Sequence, residues 1–287
     1  MPVDHMEKSY VGVTGLTSKT EVVQVSAAFH EHGFSLQADH VPMAGFLVSD
    51  STLRGGGTRN LRYPSLKDLP GLLEASAKRE MFTTVHYSTS DASFLSKQME
   101  TLLAQEGIYE RNLCQGVQFN IVCPDPREIG AVKKQYPELK VIVQLSRRMM
   151  DAGIEQAALR VSQDYPMADY VLIDPSGGNA IQFDPLQMAK VFMELKGNGV
   201  AARIGVAGGL DGSNVKSRLD DLTLILRKKY GATQNFSIDA EGALRDRAGE
   251  GYGNDVLNAR RVRSYIGGAA KGLLQDSWRG SDFAKQR

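Results

Sequence analysis

The stretch ARIGVAGGLDG, residues 202–212, joins a short apolar run to a glycine-rich turn that precedes a helix-like segment. Seven other β-rich apolar runs recur along the chain. They occupy residues 10–15, 41–49, 81–87, 116–122, 140–146, 170–174 and 236–240. Most of these runs are continuously apolar rather than alternating, which is typical of parallel strands covered on both faces.

Helix-like segments with recognisable ends lie between the apolar runs. The clearest is 17–33, where Ser18 and Glu21 have the spacing of a capping box and Gly33 closes the helix. Two further segments, 184–197 and 215–231, also end in glycine, and the first of them opens with Asp-Pro. The chain therefore alternates strand and helix.

Eight strands that alternate with helices predict a (β/α)8, or TIM, barrel in the α/β class. We expect residues 1–287 to form a single domain, because no linker or low-complexity stretch divides the chain. A doubly wound sheet is the alternative fold. Its first strand–helix turn would carry G-x-G-x-x-G, whereas the turn here reads GVTGLTSKTE, residues 12–21.

Composition excludes several classes of function. The 34 Lys and Arg residues and 33 Asp and Glu residues leave a net charge of +1, which predicts no nucleic-acid or membrane partner. Two cysteines provide no disulfide framework, and the N-terminus lacks the apolar core of a signal peptide. No metal or cofactor motif such as H-E-x-x-H or a P-loop occurs. We expect a cytoplasmic protein without a cofactor that binds a small molecule.

The loops that follow barrel strands lie on the C-terminal face, where active sites are built. The longest connections, 50–71 and 242–255, follow the second and eighth predicted strands and are candidates for a lid. Loops after strands seven and eight often bind phosphate, because glycine lets an anion approach backbone amides. Gly208, Gly209 and Gly242 are therefore candidate ligands of a small anion. A tight turn with positive φ at Gly208 or Gly209 is the alternative.

Several predicted strand ends carry motifs that point to one family. These segments are VTGLTSKTEV (13–22), FLVSDSTLRGG (46–56), VQFN (117–120), LIDPSGG (172–178), GVAGGLDGSNV (205–215) and, more loosely, SIDAEGALRD (237–246). Together they resemble the phosphoribosylanthranilate isomerase family of phosphosugar-binding barrels. The motifs at strands one, six and seven are the specific ones.

The resemblance implies an Amadori-type isomerisation of an aminated ribose phosphate to its 1-amino-ketose. It implies that Asp174 is the acid that protonates the ring oxygen. The ligand-binding positions that it implies are Arg54, Gln118, Asn120 (in place of a histidine), Gly177 and Gly178. The family's base is a cysteine at the end of the first strand, and this position is Thr14 here.

Two departures from the family pattern bear on the chemistry. A threonine hydroxyl titrates far above the range of a thiol, so Thr14 cannot remove a carbon-bound proton without an adjacent base. Glu241 stands where the family's phosphate loop has small hydroxyl residues, and its charge would repel a phosphate. Phosphate binding then requires that Arg245 or Arg247 neutralises Glu241, or that its side chain points away.

Other polar residues near strand ends are candidates for the site. His86 is the best substitute base, because imidazole titrates in the useful range, although it could simply be bonded within the barrel. Asp50 is a second candidate carboxylate or a turn former, and Arg54 is an anion clamp or a solvated loop arginine. Asp239 ends the eighth strand and could bind a sugar hydroxyl or anchor its loop. Asp174 could equally cap a turn.

The sequence thus predicts an isomerase-like enzyme that binds a phosphosugar or a related small anion at the C-terminal face. Asp174 would be the acid and His86 or Asp50 the base. Two alternatives remain open. One is a ligand-binding barrel that has lost catalysis, and the other is a lyase or transferase that uses the same pocket with different acid–base residues.

Overall fold

The computed structural model describes residues 8–56, 60–121, 123–176, 181–231, 235–250 and 253–274. Eight parallel strands close into a barrel in which each strand pairs with the next and the eighth pairs with the first. They are β1 (Ser9–Thr14), β2 (His40–Ser49), β3 (Phe82–Ser88), β4 (Gly116–Phe119), β5 (Lys140–Ser146), β6 (Tyr170–Asp174), β7 (Arg203–Ala207) and β8 (Ser237–Ala240). The closed sheet confirms the predicted (β/α)8 barrel and excludes the doubly wound alternative.

The helices cover the outside of this barrel. They are α1 (Lys19–Glu31), α2 (Asp50–Leu53), α3 (Leu69–Ala77), α4 (Leu95–Leu103), α5 (Pro126–Gln135), α6 (Arg147–Asp151), α7 (Ile154–Asp164), α8 (Pro185–Gly197), α9 (Val215–Tyr230) and α10 (Ala259–Leu273). None of the helices in the described part of the chain has the length and apolarity needed to cross a membrane.

The helix ends follow the side chains that the sequence places there. The Glu21 amide donates to the Ser18 hydroxyl and the Ser18 amide donates to the Glu21 carboxylate, so the capping box is present. At α8 the Asp184 side chain caps the helix that Pro185 begins. Local sequence therefore determines where these helices start.

Two apolar cores result from the strand pattern. The larger lies between the barrel and its helices, and the smaller fills the inside of the barrel. Tyr10, Phe82 and Tyr170 form the centre of the smaller core, with ring centroids 5.4 to 6.1 Å apart. These rings fill the N-terminal half of the barrel interior. The polar side chains of the interior therefore lie at the C-terminal end of the barrel.

The two long connections contain more structure than the sequence predicted. The first begins with α2, and the second folds into a short hairpin of β9 (Arg245–Arg247) and β10 (Asp255–Leu257). Both hairpin strands are only three residues long, and β9 is entirely charged, so neither shows an apolar run long enough to identify a strand. The Leu61 amide donates to the Gly253 carbonyl at 2.8 Å, which joins the two connections above the barrel.

The capping box gives a test of how much local sequence stabilises the fold. Ser18→Ala leaves the Glu21 amide without its acceptor, so we expect the free energy of unfolding to fall by about 1 kcal/mol. Chemical denaturation measures this change. Ser162→Ala, within α7, is the control and should leave stability unchanged or slightly higher. Equal stability of both variants would contradict a stabilising cap.

Candidate functional site

A cavity of about 260 Å³ opens at the C-terminal ends of the strands. Leu172 and Ala207, from the inner apolar core, contribute to its wall. Its polar lining includes Tyr63, His86, Gln118, Asn120, Gln144, Ser146, Asp174, Ser176, Asp239 and Glu241, together with the loop glycines 208, 209 and 242. The structure thus brings most of the predicted site residues to one cavity, and three carboxyl groups, those of Asp174, Asp239 and Glu241, line it.

Asp174 ends β6 and accepts hydrogen bonds from donors that include Gln144 and Ser176. Gln144, from β5, donates to one carboxylate oxygen at 2.7 Å. The amide and hydroxyl of Ser176 donate to the other oxygen at 2.8 and 2.7 Å. The Ser176 contacts form a turn of the kind expected for a capping aspartate, yet Asp174 also lines the cavity. The turn contact is present, and the predicted role of Asp174 in proton transfer stays a prediction.

Asp239 ends β8 and is 6% exposed. The Thr14 hydroxyl, at the end of β1, donates to both carboxyl oxygens at 3.0 and 3.1 Å. A Cβ atom at Gly45 would lie 2.5 Å from this hydroxyl and 2.8 Å from His86 Nε2, so glycine at position 45 makes room for both side chains. Thr14 and Asp239 form a pair that no local motif reveals, since 225 residues separate them.

The environment of Asp239 favours its protonated form. Burial raises the pKa of its carboxyl to about 8, and the charges of Glu241 and Asp174 act in the same direction. The hydrogen bond from Thr14 opposes this shift but does not offset it. A carboxylic acid that titrates near neutrality can give or accept a proton at physiological pH.

Neutral hydrogen-bonding groups line the β3 and β4 side of the cavity. Burial lowers the pKa of His86 to about 3, so the imidazole is neutral and a weaker base than the sequence suggested. Gln118 donates to the Asn120 side chain at 2.7 Å. Within the described residues, His86 Nε2 and Gln118 Oε1 are buried without a hydrogen-bond partner. Buried polar atoms rarely stay unpaired, so both atoms point to a polar ligand group.

The glycine-rich loop after β7 also lines the cavity. Gly208 and Gly209 have φ values of +123° and +57°, which confirms the tight turn that was the alternative to an anion site. A Cβ atom at Gly208 would lie 3.2 Å from the Ile181 carbonyl oxygen. Among the described residues, the Gly209 and Gly242 amides donate no hydrogen bond. The turn and an anion site are therefore compatible.

Glu241 faces the same cavity and is neutralised by an arginine that sequence reasoning missed. Arg62 Nη1 lies 2.7 Å from Glu241, and Arg62 Nη2 lies 2.6 Å from Asp255. Burial raises the pKa of Glu241, and Arg62 opposes this shift. Arg245, one of the two predicted partners, makes its ion pair with Asp255 at 3.5 Å and donates to the Gly15 carbonyl, and its charge also lowers the pKa of Glu241. No spacing signal could identify Arg62, which is 179 residues from Glu241.

Two predicted residues lie away from the cavity. Asp50 and Arg54 pair with each other at 2.8 Å along α2, and Arg54 is 66% exposed. They line a separate surface groove with Phe94, because α2 carries the chain outward from the end of β2. Asp50 is therefore not placed to act as the base, and Arg54 is a solvated arginine. Gly177 and Gly178 lie outside the described residues.

The described part of the cavity wall presents no lysine or arginine side chain. Across residues 8–274, apart from the undescribed gaps, no three His, Cys, Asp or Glu side chains are grouped as metal ligands. The described wall supplies carboxyl groups for proton transfer and amide, hydroxyl and imidazole groups for hydrogen bonding.

Solved structures place this architecture in a known fold. Tryptophan synthase from M. tuberculosis, in a ligand-free form, is similar over 94% of this chain and 94% of that chain, with a TM-score of 0.55 and 12% identity. Triosephosphate isomerase from Bartonella henselae is similar over 91% of this chain and 98% of that chain, with a TM-score of 0.52 and 8% identity. The chain is a TIM barrel. At this identity the likeness establishes the fold alone.

No protein-family model matches the sequence, and no curated protein matches it. The chemistry of this TIM barrel is therefore inferred from its own residues.

The raised pKa of Asp239 predicts how stability changes with pH. The folded state binds this proton more tightly than the unfolded state, so the carboxyl lowers stability increasingly as the pH rises from about 4 to about 8. Asp239→Asn removes this dependence, and its stability advantage over wild type should grow across that range to the order of several kcal/mol. Denaturation at a series of pH values measures it.

The control for that experiment is Asp68→Asn, at an exposed position before α3. It should leave the pH dependence of wild type unchanged. A parallel pH dependence for wild type and Asp239→Asn would contradict the assignment of the shifted group.

The Thr14 hydroxyl is expected to tune the Asp239 carboxyl. Thr14→Val removes a hydrogen bond that lowers the pKa of Asp239, so we expect this pKa to rise above about 8. Thr14→Ser keeps the hydroxyl and should titrate like wild type. Carboxyl 13C chemical shifts recorded against pH follow the titration directly. An unchanged midpoint in Thr14→Val would show that the contact has no electrostatic role.

Proposed function

We propose that the protein is an acid–base isomerase of a small phosphorylated sugar, with Asp174 and Asp239 as the two proton-transfer groups. The observation that carries this proposal is that two carboxyl groups in different environments line one cavity of about 260 Å³. Asp174 accepts hydrogen bonds from donors that include Gln144 and Ser176, whereas Asp239 is desolvated and has a pKa of about 8. Paired titratable groups in contrasting environments are typical of acid–base sites.

The raised pKa of Asp239 and the position of Asp174 in the same cavity assign a role to each carboxyl. Asp239 holds a proton at neutral pH and is the acid that protonates the ring oxygen as the sugar ring opens. Asp174, whose oxygens accept from amide and hydroxyl donors, is the base that takes the proton from C2. Protonation of the ring oxygen by Asp239 opens the ring to an iminium, and removal of the C2 proton by Asp174 gives an enolamine. The enolamine becomes the 1-amino-ketose when C1 gains a proton and the 2-hydroxyl loses one. Asp174 then releases its extra proton and Asp239 takes one up, so the turnover leaves the proton count unchanged.

This assignment exchanges the role that the family resemblance implies for Asp174. It also provides the titratable group that is missing from position 14. The threonine cannot act as a base itself, but its hydroxyl holds Asp239, so a titratable group lies at the β1 end of the cavity. This pair favours an active enzyme over a barrel that has lost catalysis.

Backbone amides are the proposed phosphate ligands. The amides of Gly209 and Gly242 come from the loops after β7 and β8, and both glycines line the cavity. Amide dipoles at such loops bind phosphate without a cationic side chain. The ion pair between Arg62 and Glu241 removes most of the repulsion that a free carboxylate would exert on the anion.

The neutral side chains are the proposed ligands of sugar hydroxyls. Gln118 Oε1 is an unpaired acceptor to which a sugar hydroxyl can donate. The same hydroxyl can accept from a neighbouring side-chain amide such as that of Asn120. His86 contributes its unpaired Nε2 to the same face. An uncharged face of this kind binds a polyhydroxylated substrate without a desolvation penalty for a charge.

The test is an isomerase assay with phosphoribosylanthranilate. We expect wild type to convert it, and Asp174→Asn and Asp239→Asn to lower kcat by about 10²–10⁴-fold, since each removes a proton-transfer group. The kcat/KM of wild type should fall above pH of about 8, as Asp239 loses its proton. Asp50→Asn, outside the cavity, is the matched control and should keep full activity.

Each alternative function predicts a different pattern of activity among wild type and the variants. Equal losses in Asp50→Asn and Asp239→Asn would contradict the assigned site. Activity that appears only in Thr14→Cys would show that wild type acts on a different substrate. No turnover in any of these proteins would remove phosphoribosylanthranilate as the substrate.

A further inference from the structure

A second pocket lies at the opposite end of the barrel. It has a volume of about 460 Å³ and is formed at the N-terminal ends of β5 to β8. Its charged lining consists of Lys140, Asp169, Lys196 and Arg203, with Asn235 at the edge. The catalytic proposal uses none of these residues.

The single carboxylate among these side chains is already engaged. Asp169 Oδ2 accepts from the Val141 amide at 2.8 Å and from Lys133 Nζ at 2.7 Å. Lys140 Nζ lies 3.4 Å from the other oxygen. Asp169 therefore holds the start of β5 and compensates lysines from α5 and β5, so no free carboxylate remains for the other side of the pocket.

Two cations on that other side lack a counter-charge. Within the described residues, the Arg203 guanidinium has no hydrogen-bond or ion-pair partner although the residue is half-buried. Lys196 Nζ makes only long contacts, 3.4 Å each, to the Val200 and Ala202 carbonyls. Burial and the charge of Arg203 lower the pKa of Lys196. Two like charges that are close and partly desolvated repel each other unless an anion compensates them.

We propose that this pocket binds a small tetrahedral oxyanion of the phosphate class between Arg203 and Lys196. The planar guanidinium offers paired donors to two oxygens of such an anion, and the ammonium group offers a point charge to a third. Asn235 supplies a neutral donor at the pocket edge, and Lys140 adds long-range attraction. The site is independent of the proposed isomerase chemistry, because it lies at the other end of the barrel.

The test is a titration of the full-length, 15N-labelled protein with inorganic phosphate at low ionic strength. In wild type we expect saturable shifts of the backbone amides of Ala202, Arg203 and Asn235, which sulfate reproduces. Arg203→Gln and Lys196→Gln should each weaken binding at least about tenfold, because each removes a charged ligand. Lys216→Gln removes one charge from an exposed ion pair on α9 and should bind like wild type.

The same spectra separate this site from the catalytic cavity and show that each variant is folded. Shifts confined to Gly209 and Gly242 would overturn the proposed pocket while supporting the phosphate loop. Absence of saturable shifts at Ala202, Arg203 and Asn235 would also overturn it. Wild-type affinity in both Arg203→Gln and Lys196→Gln would show that any bound anion lies elsewhere.

Discussion

Burial of one carboxyl group, that of Asp239, determines the chemistry of the cavity. Closure of the sheet between β1 and β8 brings this residue against the Thr14 hydroxyl and away from water. The resulting pKa of about 8 makes a carboxylic acid, rather than an imidazole or a thiol, the group that titrates near neutrality. Desolvation of this size destabilises the folded state, and such a cost is common where function requires an unusual protonation state.

The cavity combines this acid with a wall whose described part carries no cationic side chain. An enzyme that relied on cationic side chains would bind anions strongly and tolerate few neighbouring carboxyl groups. Here the carboxyl groups of Asp174, Asp239 and Glu241 share one cavity, and the groups proposed to hold the anion are backbone amides. Amide donors are fixed by the fold and do not form salt bridges with carboxyl groups, so the proposed anion site and the proposed proton-transfer groups fit in a small volume.

The fold was predictable because its signals are local. Continuous apolar runs marked the strands, and β5 and β6 have the predicted bounds of 140–146 and 170–174. The strand ends also placed His86, Gln118 and Asp174 at the C-terminal face. The direction in which the Asp50 and Arg54 side chains point was not predictable, because a short helix turns them away from the barrel axis. Neither contact that sets the charge state, Thr14 with Asp239 or Arg62 with Glu241, leaves a trace in sequence spacing.

Four charged side chains at the rim of the barrel, above the cavity, form ion pairs that restrict which substitutions this protein can accept. Arg62, Arg245, Glu241 and Asp255 contribute two positive and two negative charges, and together they join the connections after β2 and β8. Replacement of one member leaves a buried charge without compensation, whereas joint replacement of a cation and an anion keeps the rim neutral. Homologous sequences should therefore show correlated exchange between these distant positions, and a designer who grafts either connection onto another barrel must transfer both.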